Sequence, residues 1–137
     1  MLTTQTEIRV RYADTDQMQF VYNGKYLEYF EVGRTEMLRQ IGLPYSSLEE
    51  QNYLLPLLEA KVKYIKPAHY DDILVIKSSL NEFPSLKILI DYKIFRKDTD
   101  ELIAEGYTLH VFLNQNTKKV VRPPDFFLET IKPFFNK

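Results

Sequence analysis

Asp14 and Asp16 stand two positions apart, where one sequence pattern ends and another begins. Upstream, Ile8-Arg9-Val10-Arg11-Tyr12 alternates apolar and basic side chains, the period of a half-buried strand. Downstream, seven residues after Asp16, Asn23 opens a segment with helical spacing. The start of a helix leaves N–H groups unbonded and carries partial positive charge. Such donors can hold a developing oxyanion. An Asp carboxylate facing them can act as nucleophile or as general base toward water. The chemistry this suits is acyl transfer. On spacing alone the bland reading is the stronger one, because Asp before a helix commonly caps or makes a turn. Asp14 reads first as a turn-maker, and otherwise as a group that orients Asp16 or binds a neighbouring N–H.

The elements that must position these carboxylates follow from the patterning. Ala13–Tyr22 breaks the strand period and reads as a loop. Over Gly24–Ile41, Tyr26, Phe30, Gly33, Met37 and Ile41 fall at steps of 4, 3, 4 and 4, one apolar stripe of a helix. Asn23 is of the N-cap type, and Gly42 with Pro44 are stop signals. Gly33 within the stripe predicts close approach of the helix to another backbone. Pro44–Tyr53 reads as a loop with one helical turn. Strands are expected over Leu57–Ile65, Asp72–Leu80, Leu86–Arg96 and Leu102–Leu113, with a short one at Lys118–Arg122 and an amphipathic end at Asp125–Phe135. Lys97–Asp100 is turn-like in composition.

Short connections favour antiparallel pairing. A lone long helix must bury its stripe on the sheet. The expected class is α+β, one antiparallel five- or six-stranded sheet curved around a single long helix. Residues 1–137 form one domain, since no linker, repeat or low-complexity stretch divides them. The sheet's other face keeps Leu89 and Phe95. An uncovered apolar face predicts a homodimer or larger assembly.

Composition removes several functions. With 18 Lys and Arg against 19 Asp and Glu, the net charge of −1 lacks the basic footprint of a nucleic-acid binder. The absence of Cys excludes a thiolate nucleophile, a disulfide scaffold and Cys-based zinc sites. His69 and His110 lie too far apart in sequence to give metal-ligand spacing. The longest uncharged apolar stretch, Tyr53–Leu58, is far short of the roughly 20 residues of a membrane helix. Met1–Gln5 has no basic or apolar leader segment, so a cytoplasmic location is expected. No Ser stands in a G-x-S-x-G context.

The run Tyr12-Ala13-Asp14-Thr15-Asp16 through Val21-Tyr22-Asn23-Gly24-Lys25-Tyr26 to Arg34-Thr35-Glu36 resembles the signature of the hotdog-fold acyl-CoA thioesterases. The branch it is most similar to is that of 4-hydroxybenzoyl-CoA thioesterase and the Tol–Pal-associated acyl-CoA thioesterases. Lys66-Pro67-Ala68-His69-Tyr70-Asp71-Asp72, Glu105-Gly106 and Arg122-Pro123 extend the resemblance along nearly the whole chain. It implies hydrolysis of an acyl-CoA to a free acid and CoA, with no cofactor and no metal. Asp16 then matches the catalytic carboxylate, as nucleophile or general base. Asn23 matches the position whose backbone N–H polarises the thioester carbonyl. The resemblance also implies a homodimer or homotetramer with active sites at the subunit interface.

Three positions depart from the family pattern: Gln19 where Gly is usual, Asn23 where His is common, and Lys25 where Asn is frequent. They bear on rate and substrate size more than on fold. They also sustain the alternative of a non-catalytic hotdog protein that binds an acyl ligand or serves assembly. Tyr22 is a candidate for the acyl pocket or plain core. Arg122, near Lys118 and Lys119, is a candidate for CoA phosphates or a solvated basic turn. Glu31, Arg34 and Glu36 read as structural helix pairs.

Overall fold

The computed structural model describes residues 1–136. The chain runs β1 (Leu2–Arg9), α1 (Lys25–Gln40), α2 (Tyr45–Glu50), β2 (Tyr53–Leu54), β3 (Leu57–Tyr64) and β4 (Ile73–Leu80). It continues through β5 (Ile88–Arg96), β6 (Leu102–His110), β7 (Phe112–Asn114), β8 (Val120–Val121) and α3 (Asp125–Ile131). Five strands make the main sheet in the order β1-β4-β5-β6-β3, every neighbour antiparallel. This is the hotdog-like α+β architecture, with α1 packed on one face of the sheet.

The strand and helix periods explain why. In β5, Ile88, Ile90, Tyr92 and Ile94 are buried, while Leu89 and Lys93 are exposed and Asp91 is half-buried. The α1 stripe meets that inner face, and Phe30 stacks on Tyr92 with ring centroids 4.3 Å apart. Gly33 allows a close approach, but to side chains of β4 rather than to backbone. A Cβ there would lie 2.5 Å from Ser78 Oγ and 2.7 Å from Ile76 Cγ2.

Several expectations are corrected. The first strand is Leu2–Arg9, not Ile8–Tyr12, because Thr3, Thr4 and Thr6 pair along β4 and the chain leaves the sheet at Val10. The Leu102–Leu113 strand breaks at Val111, whose N–H turns to the Pro56 carbonyl. The residues beyond the break join β2 and β8 in a separate three-stranded sheet, β2-β7-β8, which the five- or six-stranded expectation did not contain. Pro44–Tyr53 holds α2 and the first residue of β2. On the outer face Leu89 is exposed and Phe95 half-buried, as expected of an uncovered side. The edge strand β3 is exposed along most of its length and pairs only with β6. Among the described residues no helix is long and apolar enough to cross a membrane.

Candidate active site

The two carboxylates of the loop have opposite fates. Asp14 is 3% exposed. It accepts the Arg11 N–H at 3.0 Å, Arg11 Nη2 at 3.2 Å and the Tyr29 hydroxyl at 3.1 Å, with Lys25 Nζ 3.6 Å away. Burial pushes its carboxyl up. The bonds from the Arg11 N–H, the Tyr29 hydroxyl and the Arg11 guanidinium outweigh that and hold it below the usual carboxylate range. Burial and the facing Asp14 charge push the Tyr29 hydroxyl up, which keeps it a donor. Asp14 therefore staples the exit of β1 to the first turns of α1, and its own bonds do not reach Asp16.

Asp16 heads a tight turn. Its Oδ1 accepts the Met18 N–H at 2.8 Å, its carbonyl accepts the Gln19 N–H at 2.9 Å, and its N–H donates to the Phe20 carbonyl at 3.1 Å. Its other carboxylate oxygen has no hydrogen-bond partner among the described residues. The side chain is half-buried. Gln19 closes this turn at φ 69°, in the left-handed region that Gly adopts without strain.

The loop is pinned from both sides. Thr15 bridges to Val21, Tyr22 N–H donates to the Asp14 carbonyl, and Val21 N–H donates to the Ala68 carbonyl at 2.9 Å. Phe20 bridges to His69. The Lys66–Asp72 segment is in turn fastened by Arg96, which donates to the Pro67 carbonyl at 2.6 Å and to Asp72 at 3.2 Å. The sequence marks Pro67–Asp71 as a turn or bend but does not reveal these partners, which lie far along the chain.

At the helix start the expected Asn23 side-chain cap is not made. Gly24 occupies the cap position with φ −66° and ψ −20°, and no side chain bonds there. Those dihedrals start the helical turn one residue later, which leaves Asn23 outside it and exposed. Its carbonyl accepts Tyr26 N–H at 3.3 Å and the Tyr64 hydroxyl at 3.1 Å. Among the described residues, the Asn23 and Gly24 N–H groups have no protein acceptor.

Beside them lies a cavity of about 210 Å³. Asn23, Phe20, Tyr26, Tyr64, Ile65 and Lys66 are among its walls. Burial raises the Tyr26 hydroxyl to about 12, so this wall stays neutral at physiological pH. Tyr64 was not singled out in the sequence. Its only signal was its place at the end of β3, because its partner Asn23 is 41 residues away.

Asp16, Tyr22 and Asn23 share one pinned loop, but the Tyr22 side chain turns away from the cavity and Arg122 stands apart. Tyr22 is 57% exposed and lies over Gly24, neither in the core nor on the cavity wall. Arg122 is exposed and follows β8, which is paired to β7 just beyond His110. His110 faces Leu57 at the start of β3, whereas Asn23 is held by Tyr64 at its end. Within one chain Arg122 and Asn23 are thus separated by about the length of β3, roughly 20 Å or more at 3.3 Å per residue. A larger hollow of about 480 Å³ on the outer sheet face is lined by Lys61, Lys63, Lys77 and Lys93, and includes neither Asp16 nor Asn23. Among the described residues no three His, Asp or Glu side chains gather as metal ligands would.

Comparison with known proteins bears on the chain as a whole. The family model of the thioesterase-like superfamily matches residues 10–131. YneP of Bacillus subtilis is 32% identical over 89% of this chain and 88% of its own. The acyl-CoA thioester hydrolase YbgC of Escherichia coli is 30% identical over 76% of this chain and 77% of its own. The crystal structure of the DHNA-CoA thioesterase from Staphylococcus aureus superposes with a TM-score of 0.87 at 27% identity, covering 100% of this chain and 97% of that one. An α+β sheet on one long helix, a pinned two-carboxylate loop before that helix, and relatives matched along nearly the whole chain lead to one conclusion: the protein belongs to the thioesterase-like superfamily and is a hotdog-fold thioester hydrolase.

Proposed function

We propose that the protein hydrolyses acyl-CoA thioesters to a carboxylate and free CoA, using Asp16 and the N–H of Asn23. The observation that carries this reading is the pairing of two unengaged groups on one rigid loop. Among the described residues Asp16 keeps a carboxylate oxygen without a partner, and Asn23, which lines the cavity with aromatic walls, keeps an N–H without an acceptor. The thioester carbonyl oxygen is placed on the Asn23 N–H. Asp16 then either attacks the carbonyl carbon or takes a proton from an attacking water. In the first route the C–S bond breaks, the CoA thiolate leaves and takes up a proton, and water cleaves the resulting anhydride to restore Asp16. In the second route the water oxygen adds to the carbonyl carbon as Asp16 takes its proton, the C–S bond then breaks, and the leaving CoA thiolate takes that proton back from Asp16. YbgC is named for acyl-CoA and the S. aureus structure for DHNA-CoA, which supports CoA as the leaving group.

The subunit-interface site fits the geometry of β3. This exposed edge, with Leu57, Leu58 and Tyr64 outward, can pair with a second copy. Antiparallel pairing about a two-fold axis sets the start of one β3 beside the end of the other. Arg122 of the partner subunit then approaches the Asn23 end, where it can meet CoA phosphates. The chain's two separated candidates become neighbours only in such a dimer.

The test is thiol release from a panel of acyl-CoAs by wild type and Asp16→Asn. The variant is expected to melt like wild type and to lose at least about a hundredfold in kcat, the lower range for removing an acid–base group. Hydrolysis by Asp16→Asn at near wild-type rate would remove Asp16 from the mechanism.

A further inference from the structure

We infer that the oxyanion site has two donors, the consecutive N–H groups of Asn23 and Gly24, and that Tyr64 is the positioning residue that aims the second. This rests on the acyl-CoA reading above. The argument starts with the peptide unit. In a planar trans peptide the N–H points opposite to the C=O. The Tyr22 carbonyl accepts Lys25 N–H at 2.9 Å, so it points along α1, and the Asn23 N–H of the same unit points out of the helix start. The Asn23 carbonyl accepts Tyr26 N–H at 3.3 Å, so the Gly24 N–H points the same way. Neither N–H has a protein acceptor among the described residues.

Tyr64 distinguishes the second unit from the first. Its hydroxyl donates to the Asn23 carbonyl at 3.1 Å, shorter than the bond from Tyr26 N–H to the same oxygen. Its ring is held edge-on against the buried Tyr26, with centroids 5.4 Å apart. A donor on an amide oxygen polarises the whole unit and strengthens its N–H. Tyr64 thus fixes the orientation of the Asn23–Gly24 peptide and sharpens the Gly24 donor, while its ring forms a wall of the cavity that the acyl group would enter. An anion forming at the carbonyl would meet two preorganised donors rather than one.

Position 24 lends itself to a clean test. Its φ of −66° is the value proline imposes, and its N–H has no protein acceptor to lose. A Cβ there would come within 2.8 Å of the Tyr22 ring, which is exposed and free to swing aside. The experiment measures kcat and KM on the best acyl-CoA for Gly24→Pro, Tyr64→Phe and Asp16→Asn, with thermal melts. The Gly24 amide proton shift is also compared between wild type and Tyr64→Phe. Gly24→Pro is expected to lower kcat roughly a hundredfold or more, as loss of an oxyanion donor does. Tyr64→Phe is expected to lower it roughly three- to tenfold, one hydrogen bond's worth. KM should stay within about twofold in both, since the donors act on the developing charge. The Gly24 amide proton should move upfield in Tyr64→Phe without a change in melting. If Gly24→Pro does not fold, Tyr64→Phe decides, and an unchanged kcat with an unchanged Gly24 shift overturns the inference. Folded Gly24→Pro and Tyr64→Phe with wild-type kcat, beside an inactive Asp16→Asn, overturn the second donor and leave the acyl-CoA reading standing. An active Asp16→Asn overturns that reading instead.

Discussion

Acidification should unfold this protein partly through one imidazole. His110 in β6 is fully buried. Its Nδ1 faces the Leu55 carbonyl at 3.4 Å, and its Nε2 lies 2.9 Å from Thr108 Oγ1. A carbonyl can only accept, so Nδ1 carries the proton of the neutral ring and Nε2 accepts from the threonine. Burial, then the nearby Arg34 charge, holds the ring's pKa down from 6.5 to about 4. The unfolded chain takes up the proton near pH 6.5, and the folded chain only near pH 4. Between these values the unfolded state binds more protons, so stability falls as pH falls. The contribution is complete above pH 6.5 and gone below pH 4. At 1.36 kcal/mol per pH step the whole effect is about 3 kcal/mol, or about 10 °C in Tm for a chain of this size. The assay is a set of thermal melts from pH 7.5 to 4 for wild type and His110→Gln. The variant starts lower, but its stability should fall less steeply by up to one proton's slope, about 1.4 kcal/mol per pH unit. Every other side chain is common to the two proteins, so the difference between their profiles isolates position 110. Parallel loss of stability in the two across pH 6.5 to 4 would refute the reasoning.

Three other outcomes follow from the loop before α1. Asp14→Ala strips three donors of a buried acceptor and should cost about 3 kcal/mol in a urea melt, in the range for breaking a buried charged pair. Gln19→Gly relieves the positive φ and should raise stability by up to about 1 kcal/mol, since the left-handed penalty exceeds glycine's extra chain entropy. Asn23→Ala should leave stability within about 0.5 kcal/mol, because the side chain makes no cap bond; its kcat should fall less than about tenfold, well short of the loss on removing an oxyanion donor. A larger loss in Asn23→Ala would move the chemistry from the backbone to the side chain.

What was legible in the sequence is what repeats locally. The alternation of Ile88 to Ile94 and the stripe from Tyr26 to Met37 each bury one face, and the apolar period reports that directly. The first half of β1 escaped because its inward positions include Thr4 and Thr6, whose hydroxyls hide the period-two signal. A strand of two residues such as β2 has no period to read, whereas β8 lies within the short strand expected at Lys118–Arg122. Within the candidate site, Asp14 and Asp16 are indistinguishable by type and spacing. Their difference comes from Arg11 and Tyr29, which only the folded chain delivers to Asp14. Tyr64 was missed for the same reason: its bond to Asn23 spans 41 residues. The left-handed Gln19, by contrast, was signalled in the sequence as a departure from the family pattern that the loop resembles.

The strand order also sets a sequence of events in folding. β4, β5 and β6 form a meander of local pairings, with Ser79 opposite Asp91 only 12 residues on. Both edges of the sheet depend on distant partners. Leu2 pairs with Leu80, and Lys61 with Tyr107. Closing long loops is slow because the chain entropy is lost before the contacts form. The meander is therefore the natural nucleus, and β1, α1 and β3 dock onto it afterwards. During synthesis the apolar stripe of α1 leaves the ribosome before any strand it packs on except β1. The loop bearing Asp16 and the Tyr64 end of β3 both belong to these late arrivals. Thioester hydrolysis should accordingly appear last in refolding, lagging the recovery of β-sheet signal, because the site is assembled where the two edges of the sheet come home.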